Sequence, residues 1–328
     1  MREVRELGEF RLIERLARML PSAPPVIESI GDDCAVVRAN DKVLLLTSDL
    51  FIEGVHFNCE TLHPEEIGWK AAAAAISDIA AMGGAALFSL VSLACPPGTR
   101  VSFVEQLYQG MANVFSQYGG VIVGGDMSRS SDGITIDVTV VGEVRGTRFL
   151  RRRGALPGDL LAITGYPGLS AAGLDAIQRG LHEPELTQRH RWPRPRLREA
   201  QWMCQRLEIH AMLDTSDGLV QDAAHLAAAS DLGVNIERDK LPVSGVLARH
   251  CEQTGLDIGH LMLTGGEDYE LAFAMGVDNS EATLKALHNE FRTVVTVVGQ
   301  FTDEWTGVRV DNEPYPQGGY DHFLTSTD

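Results

Sequence analysis

Hydrophobic positions recur at two periods along the chain. Phe10, Ile13, Leu16, Ala17 and Leu20 fall on one helical face, so an amphipathic helix is predicted over 9–20 and ends at Pro21, Pro24 and Pro25. Val43 to Leu46 reads as a short strand that delivers Thr47-Ser48-Asp49 at its end. His63-Pro64-Glu65-Glu66 opens a second helix, with Pro in the first turn and acids at the positive end of the dipole. That helix runs through Ala71 to Ala75, carries Asp78 and stops at Gly83. Ala86 to Cys95 reads as a strand, Val101 to Tyr118 as a helix, and Val121 to Val123 as a strand feeding Gly124-Gly125-Asp126. Ile134, Ile136, Val138 and Val140 alternate with polar or small residues, as in a half-buried strand.

A basic run from Arg145 to Arg153 and the turn Pro157-Gly158 mark a change of unit. We place a domain boundary there, between residues 1–150 and 151–328. In the second part, strands are predicted at Leu160 to Thr164, Val234 to Glu237, Tyr269 to Met275 and Val294 to Gly299. Helices are predicted after Gly168, over Arg196 to Leu207, after Asp217-Gly218, and over Glu281 to Phe291. Alternating elements of this kind imply a mixed α/β fold. The length of 328 residues also suits two domains better than one.

Charge narrows the partners. The formal net charge is −17, which disfavours nucleic acid and anionic membrane, because phosphate backbones attract basic surfaces. The lysines are Lys42, Lys70, Lys240 and Lys285, and none follows a glycine, so a Walker A loop is absent. No Gly-x-Gly spacing occurs, which removes the dinucleotide fingerprint. Five widely spaced cysteines without a Cys-x-x-Cys pair fit reduced thiols and a cytoplasmic protein. Neither an apolar signal core near the N-terminus nor a membrane span is expected.

What remains is a repeated device. Gly31-Asp32-Asp33, Thr47-Ser48-Asp49, Ser77-Asp78, Gly124-Gly125-Asp126, Asp214-Thr215-Ser216-Asp217-Gly218 and Gly265-Gly266-Glu267-Asp268 join small residues to carboxylates. Small residues let backbone approach a bound group, and carboxylates hold hard cations. Singly, each run has a structural reading as a turn, a strand end or a helix cap. Jointly they point to several Mg²⁺ ions gathered around phosphates, since clustered aspartates raise each other's pKa unless cations neutralise them. Thr47 and Ser48 are expected to add hydroxyl ligands. Gly124-Gly125 is expected to bring backbone N–H groups to a phosphate.

These runs, with Gly8-Glu9-Phe10, Glu53-Gly54-Val55-His56-Phe57, Gly165-Tyr166-Pro167-Gly168 and Gly319-Tyr320-Asp321-His322-Phe323, resemble the thiamine-monophosphate kinase family. That family belongs to the aminoimidazole-ribonucleotide-synthetase-like superfamily, and the resemblance covers nearly the whole chain in order. It implies two α/β domains and a homodimer joined through N-terminal β-strands. It implies direct in-line transfer from ATP to thiamine monophosphate, with several Mg²⁺ ions and no covalent or single general-base residue. Metal roles are implied for Asp33, Thr47, Ser48, Asp49, Asp78, Asp126, Asp214 and Asp217. ATP contacts are implied for Tyr108, Gly125, Asp126, Arg152 and Ser216, and contacts to thiamine monophosphate for His56, Glu267 and Tyr320. The competing readings are another ATP-using synthetase of the superfamily and a non-catalytic Mg-nucleotide binding protein.

Overall fold

The computed structural model describes residues 3–146, 148–206, 208–278, 280–315 and 320–323. Gly319, and Leu207 at the end of an expected helix, lie outside the described residues. The first half contains α1 (Glu9–Ala17), β1 (Val26–Glu28), β2 (Ala35–Ala39), β3 (Lys42–Ile52), α2 (Pro64–Ala81), β4 (Ala85–Cys95), α3 (Val101–Tyr118), β5 (Val121–Arg129) and β6 (Thr135–Glu143). Its strands form one sheet in the order β1-β2-β3-β6-β4-β5. Every neighbouring pair is antiparallel except β4 and β5, and α3 supplies the crossover that a parallel pair requires.

The sheet is covered on one face. Ile136, Val138 and Val140 on β6 and Val91 and Leu93 on β4 are buried beneath α2 and α3. The residues between them face outward, and Leu50, Phe88, Leu90, Val121 and Val123 are exposed. A run of exposed apolar side chains on one sheet face is unusual for an isolated subunit.

Helix α2 is the centre of the molecule. Nearly every residue from Glu66 to Ala81 is buried, so the helix lacks a solvent face and reads as apolar all round. Its start follows the predicted chemistry, since the His63 N–H donates to Glu66 Oε2 at 2.8 Å in a capping box. Glycines bring α2 against α3. A Cβ at Gly68 would lie 1.9 Å from the Leu107 carbonyl oxygen, and one at Gly110 would lie 2.0 Å from that of Glu65.

The second half contains β7 (Leu160–Thr164), α4 (Leu169–Gln178), α5 (Pro184–Arg191), α6 (Leu197–Arg206), β8 (Ile209–Asp214), α7 (Leu219–Ala229) and β9 (Gly233–Ile236). It continues with α8 (Gly245–Thr254), α9 (Ile258–Thr264), β10 (Leu271–Met275), α10 (Ser280–Phe291), β11 (Val295–Thr302), β12 (Gly307–Val310) and β13 (Glu313–Pro314). The strand order is β13-β12-β9-β11-β7-β10-β8. One face of this sheet shares a core with α2 and α6, where Phe273, Met212 and Met203 meet Ile76 and Ile79. The other face packs on a second core under α4, α7, α8 and α9. Among the described residues, no helix is long and apolar enough to cross a membrane.

Three expectations change. Thr47-Ser48-Asp49 lies inside β3, not at a strand end. Gly124-Gly125-Asp126 is not a turn but part of the edge strand β5. Glycine is required there because a Cβ at Gly125 would lie 1.8 Å from the Val91 carbonyl oxygen of β4. Tyr269 precedes β10 instead of starting it, with a positive φ of 51° that breaks the extended chain.

A close backbone crossing has a measurable consequence. Gly68→Ala and Gly110→Ala each gain about 1 kcal/mol of helix propensity. Overpacking nevertheless makes each destabilising, by about 1–3 kcal/mol. Denaturant unfolding checks this, and an unchanged or raised midpoint contradicts the crossing.

Candidate active site

The site lies where α2 meets both sheets. Asp33 follows the turn before β2, Asp78 sits on α2, and Asp214 ends β8. One carboxylate oxygen from each lies within 4.8 Å of the others. Thr47 reaches the group from β3 by donating its hydroxyl to Asp78 Oδ2. Asp49, two residues further along the same face of β3, joins through the electrostatics of Asp78.

Burial of so many carboxylates is costly. It pushes Asp214 up to about 8, with Asp33 adding to the effect. It pushes Asp49 up to about 7, with Asp137 and then Asp33 contributing. Asp32 also rises to about 7, by burial and then Asp33. Asp78 is raised well above the usual carboxylate range by burial, Asp49 and Asp214. Asp33 Oδ2 and Asp49 Oδ2 are buried with no hydrogen-bond partner in the protein. Orphaned, buried, all-oxygen donors at this separation fit a hard divalent cation.

Arg152 is the counter-charge on the protein. Its Nε and Nη2 donate to Asp33 Oδ1 at 2.9 and 2.6 Å, and its N–H donates to Asp32 Oδ1 at 3.2 Å. Arg151 and Arg153 instead bond Glu28. Of the three adjacent arginines, Arg152 alone pairs with the acidic cluster.

A second group gathers beside the first. Lys70 Nζ on α2 donates to both oxygens of Glu267, at 2.9 and 3.1 Å. Burial raises Glu267, but Lys70 and then His190 outweigh it and hold the carboxyl below its ordinary value. The Ile52 N–H donates to His56 Nδ1 at 3.0 Å, leaving the proton of the neutral ring on Nε2. Burial and His322 lower His56. The His322 ring lies 4.9 Å from His56 and 4.8 Å from Tyr320. Glu267 acts electrostatically on both His56 and Tyr320, whose rings the His322 ring links.

Loop pairing joins the two groups. The Glu267 N–H donates to the Ser216 carbonyl at 2.8 Å, and the Tyr320 N–H donates to the Asp217 carbonyl at 3.2 Å. Asp217 is pushed up to about 6 by burial and by Glu9.

Two expected metal residues stand apart. The Ser48 hydroxyl donates to Asp137 at 2.8 Å and lies 3.1 Å from Thr139, on the outer face of β3. Strand alternation turns it away from Thr47 and Asp49, so its hydroxyl does not join the central carboxylates. Asp126 is exposed on β5, separated from β3 by β6 and β4. At about 4.8 Å per strand spacing this places it roughly 14 Å from Asp49. Gly125 is beside it, and Tyr108 is half-buried on α3.

Some residues carried little signal in the sequence. Asp32 was hidden by its neighbour, and Asp137 resembles an ordinary outward position on an alternating strand. Asp222 is 2% exposed on α7, and its Oδ2 has no partner. Its pKa is driven well up by burial, Asp217 and Asp214. Its four-residue offset from Gly218, at helix spacing, could have marked it. Lys70 could have been found as a lone cation in an alanine-rich helix.

Comparison with known proteins gives this geometry a lineage. The chain matches AIR synthase related protein, N-terminal domain over residues 31–144 and C-terminal domain over residues 157–312. It is 38% identical over 325 residues to thiamine-monophosphate kinase of Aquifex aeolicus (strain VF5), covering 98% of this chain and 99% of the relative. The chain belongs to the thiamine-monophosphate kinase family. The Escherichia coli (strain K12) member is 34% identical over 330 residues, with 97% and 99% covered. A solved structure described as AaThiL complexed with AMPPCP and TMP superposes with a TM-score of 0.87 at 37% identity, covering 98% of this chain and 99% of that one.

The raised carboxyls fix a pH dependence for this family member. A group with a folded pKa above its unfolded value of about 3.9 keeps a proton the unfolded chain has lost. Stability therefore falls as pH rises from about 4 towards the folded values near 7 and 8. In EDTA, the melting temperature is expected to drop between pH 5 and about 8. Asp214→Asn is expected to flatten that drop. An unchanged slope in the variant, followed by calorimetry, contradicts the assignment.

Proposed function

We propose that this chain transfers the γ-phosphoryl group of ATP directly to the phosphate of thiamine monophosphate, forming thiamine diphosphate in thiamine biosynthesis. The observation that carries the reading is the convergence of Asp33, Asp78 and Asp214, with Glu267 and Tyr320 tied by backbone hydrogen bonds to the adjoining Ser216-Asp217 loop. Relatives named thiamine-monophosphate kinase, and a similar structure holding AMPPCP and TMP, support both substrates.

Asp33, Asp49, Asp78 and Asp214 would hold Mg²⁺, with Thr47 and Asp217 at the margin. Bound Mg²⁺ supplies charge neutralisation for phosphate oxygens on donor and acceptor. The protein's own part is positioning. Arg152 offers a planar fork of donors at the edge of the cluster and suits a phosphate group. Ser216 sits on the loop joining the two groups. Glu267, His56 and Tyr320 hold the thiamine end, so that the acceptor phosphate points at the carboxylates. No side chain in this arrangement is needed as a covalent acceptor, which accords with direct transfer. Tyr108, Gly125 and Asp126 are assigned to the nucleotide, Asp126 with a cation of its own rather than a share of the central group.

The exposed apolar face of the first sheet, with Leu50, Phe88, Leu90 and Val123, is assigned to a homodimer interface. We assign nucleotide binding and dimerisation to residues 1–150 and completion of the substrate site to residues 151–328; one sheet in each half supports the division. The reduced-cysteine composition supports a cytoplasmic enzyme.

Incubation with ATP, Mg²⁺ and thiamine monophosphate is expected to yield equal amounts of ADP and thiamine diphosphate. Asp49→Asn is expected to cut turnover by at least about 10- to 100-fold. Binding of both substrates without product, measured by chromatography, would leave a binding protein in place of a kinase.

A further inference from the structure

Lys70 differs from the other lysines of this chain. Lys42, Lys240 and Lys285 are exposed, whereas Lys70 is 1% exposed inside α2. A buried ammonium is tolerated only when its donors are all matched. Here they are matched. Two go to Glu267 Oε1 and Oε2, and His190 Nε2 lies 3.3 Å from the same nitrogen.

This fixes the histidine. With Nε2 facing an ammonium, Nε2 must accept, so the His190 proton sits on Nδ1. Nδ1 faces Ser170 Oγ at 3.1 Å and Glu267 Oε2 at 3.5 Å. Two helices therefore hold the carboxylate of the Glu267 loop, α2 through Lys70 and α5 through His190, and α4 backs His190 through Ser170. That loop holds Glu267 at a positive φ of 64°, a conformation uncommon outside glycine. Its side chain is held by Lys70 and His190 yet remains 27% exposed, and it acts electrostatically on His56 and Tyr320.

We propose that Lys70, backed by His190, is a positioning residue for substrate selection: it orients Glu267 and keeps it ionised, and so sets the affinity for thiamine monophosphate without touching that substrate or ATP. The proposal rests on the reading of Glu267 as the thiamine-monophosphate contact. A carboxylate has about four acceptor positions. Lys70 occupies the rear ones and cancels most of the charge. The outward positions then favour a hydrogen-bond donor on the substrate, such as a ring amine, over a bare cation.

The test is a double-mutant cycle on the full chain, with Lys70→Met, Glu267→Gln and the pair, reading KM for each substrate separately. Glu267→Gln is expected to raise the thiamine-monophosphate KM about tenfold or more, and Lys70→Met likewise, with the ATP KM within about twofold. The pair should match Glu267→Gln alone, because Lys70 acts through that residue. The pair also removes both charges, so the comparison survives even if Lys70→Met by itself fails to fold.

A pH profile separates positioning from bulk stability. Glu267 contacts Lys70 and His190 and acts electrostatically on His56, Tyr269 and Tyr320. Without Lys70 its carboxyl titrates higher, so the KM of Lys70→Met should improve with rising pH relative to the unsubstituted chain. Multiplicative effects in the pair, or an unchanged thiamine-monophosphate KM in Lys70→Met, overturn the proposal. An unchanged KM in Glu267→Gln shows instead that the substrate reading of Glu267 has failed, and the proposal with it.

Discussion

Everything in this protein is arranged around carboxylates that repel one another in a buried place. Asp33, Asp78 and Asp214 bring oxygens within 4.8 Å, and Asp49 adds to the same field. Arg152 pairs with only one of them, Asp33. Such a cluster is unfavourable as apo protein at neutral pH and becomes favourable when cations neutralise it. The fold must therefore be rigid enough elsewhere to hold these groups together.

That rigidity comes from α2. The helix is buried between two sheets and against α3, with Gly68 and Gly110 allowing backbone contact. It carries Asp78 for the carboxylate cluster and Lys70 for Glu267, about 12 Å apart along the axis by helical rise. Under the proposed function, one helix thus spaces the carboxylate cluster from the group assigned to the organic substrate. A shift of α2 would misplace both together, which couples packing to function.

Much of this was legible in the sequence, and the limits have physical reasons. Strong periodicity exposed α1 and β6, and the Pro-acid start and glycine stop exposed α2. The short helices α5, α8 and α9 had no comparable signal. The acidic runs identified Asp33, Asp78 and Asp214 because small residues beside carboxylates are informative at any distance along the chain. Direction was not legible. Thr47, Ser48 and Asp49 look equivalent in a run, but in a strand the middle one turns outward. Gly125 looked like turn chemistry, yet it lies in a strand, where the close approach of β5 to β4 leaves no room for a Cβ. Lys70 acquires meaning only from residues more than 100 positions away, His190 and Glu267, which no local pattern encodes.

The most direct measurement is proton release on Mg²⁺ binding, by calorimetry at pH about 6.5 in buffers of different ionisation enthalpy, without nucleotide. Carboxyls held above their ordinary range must lose protons as the cation binds, so release of about one proton or more per chain is expected, diminished in Asp214→Asn. Tight Mg²⁺ binding with no proton release would mean that the carboxylates are already ionised and independent, and would contradict the account.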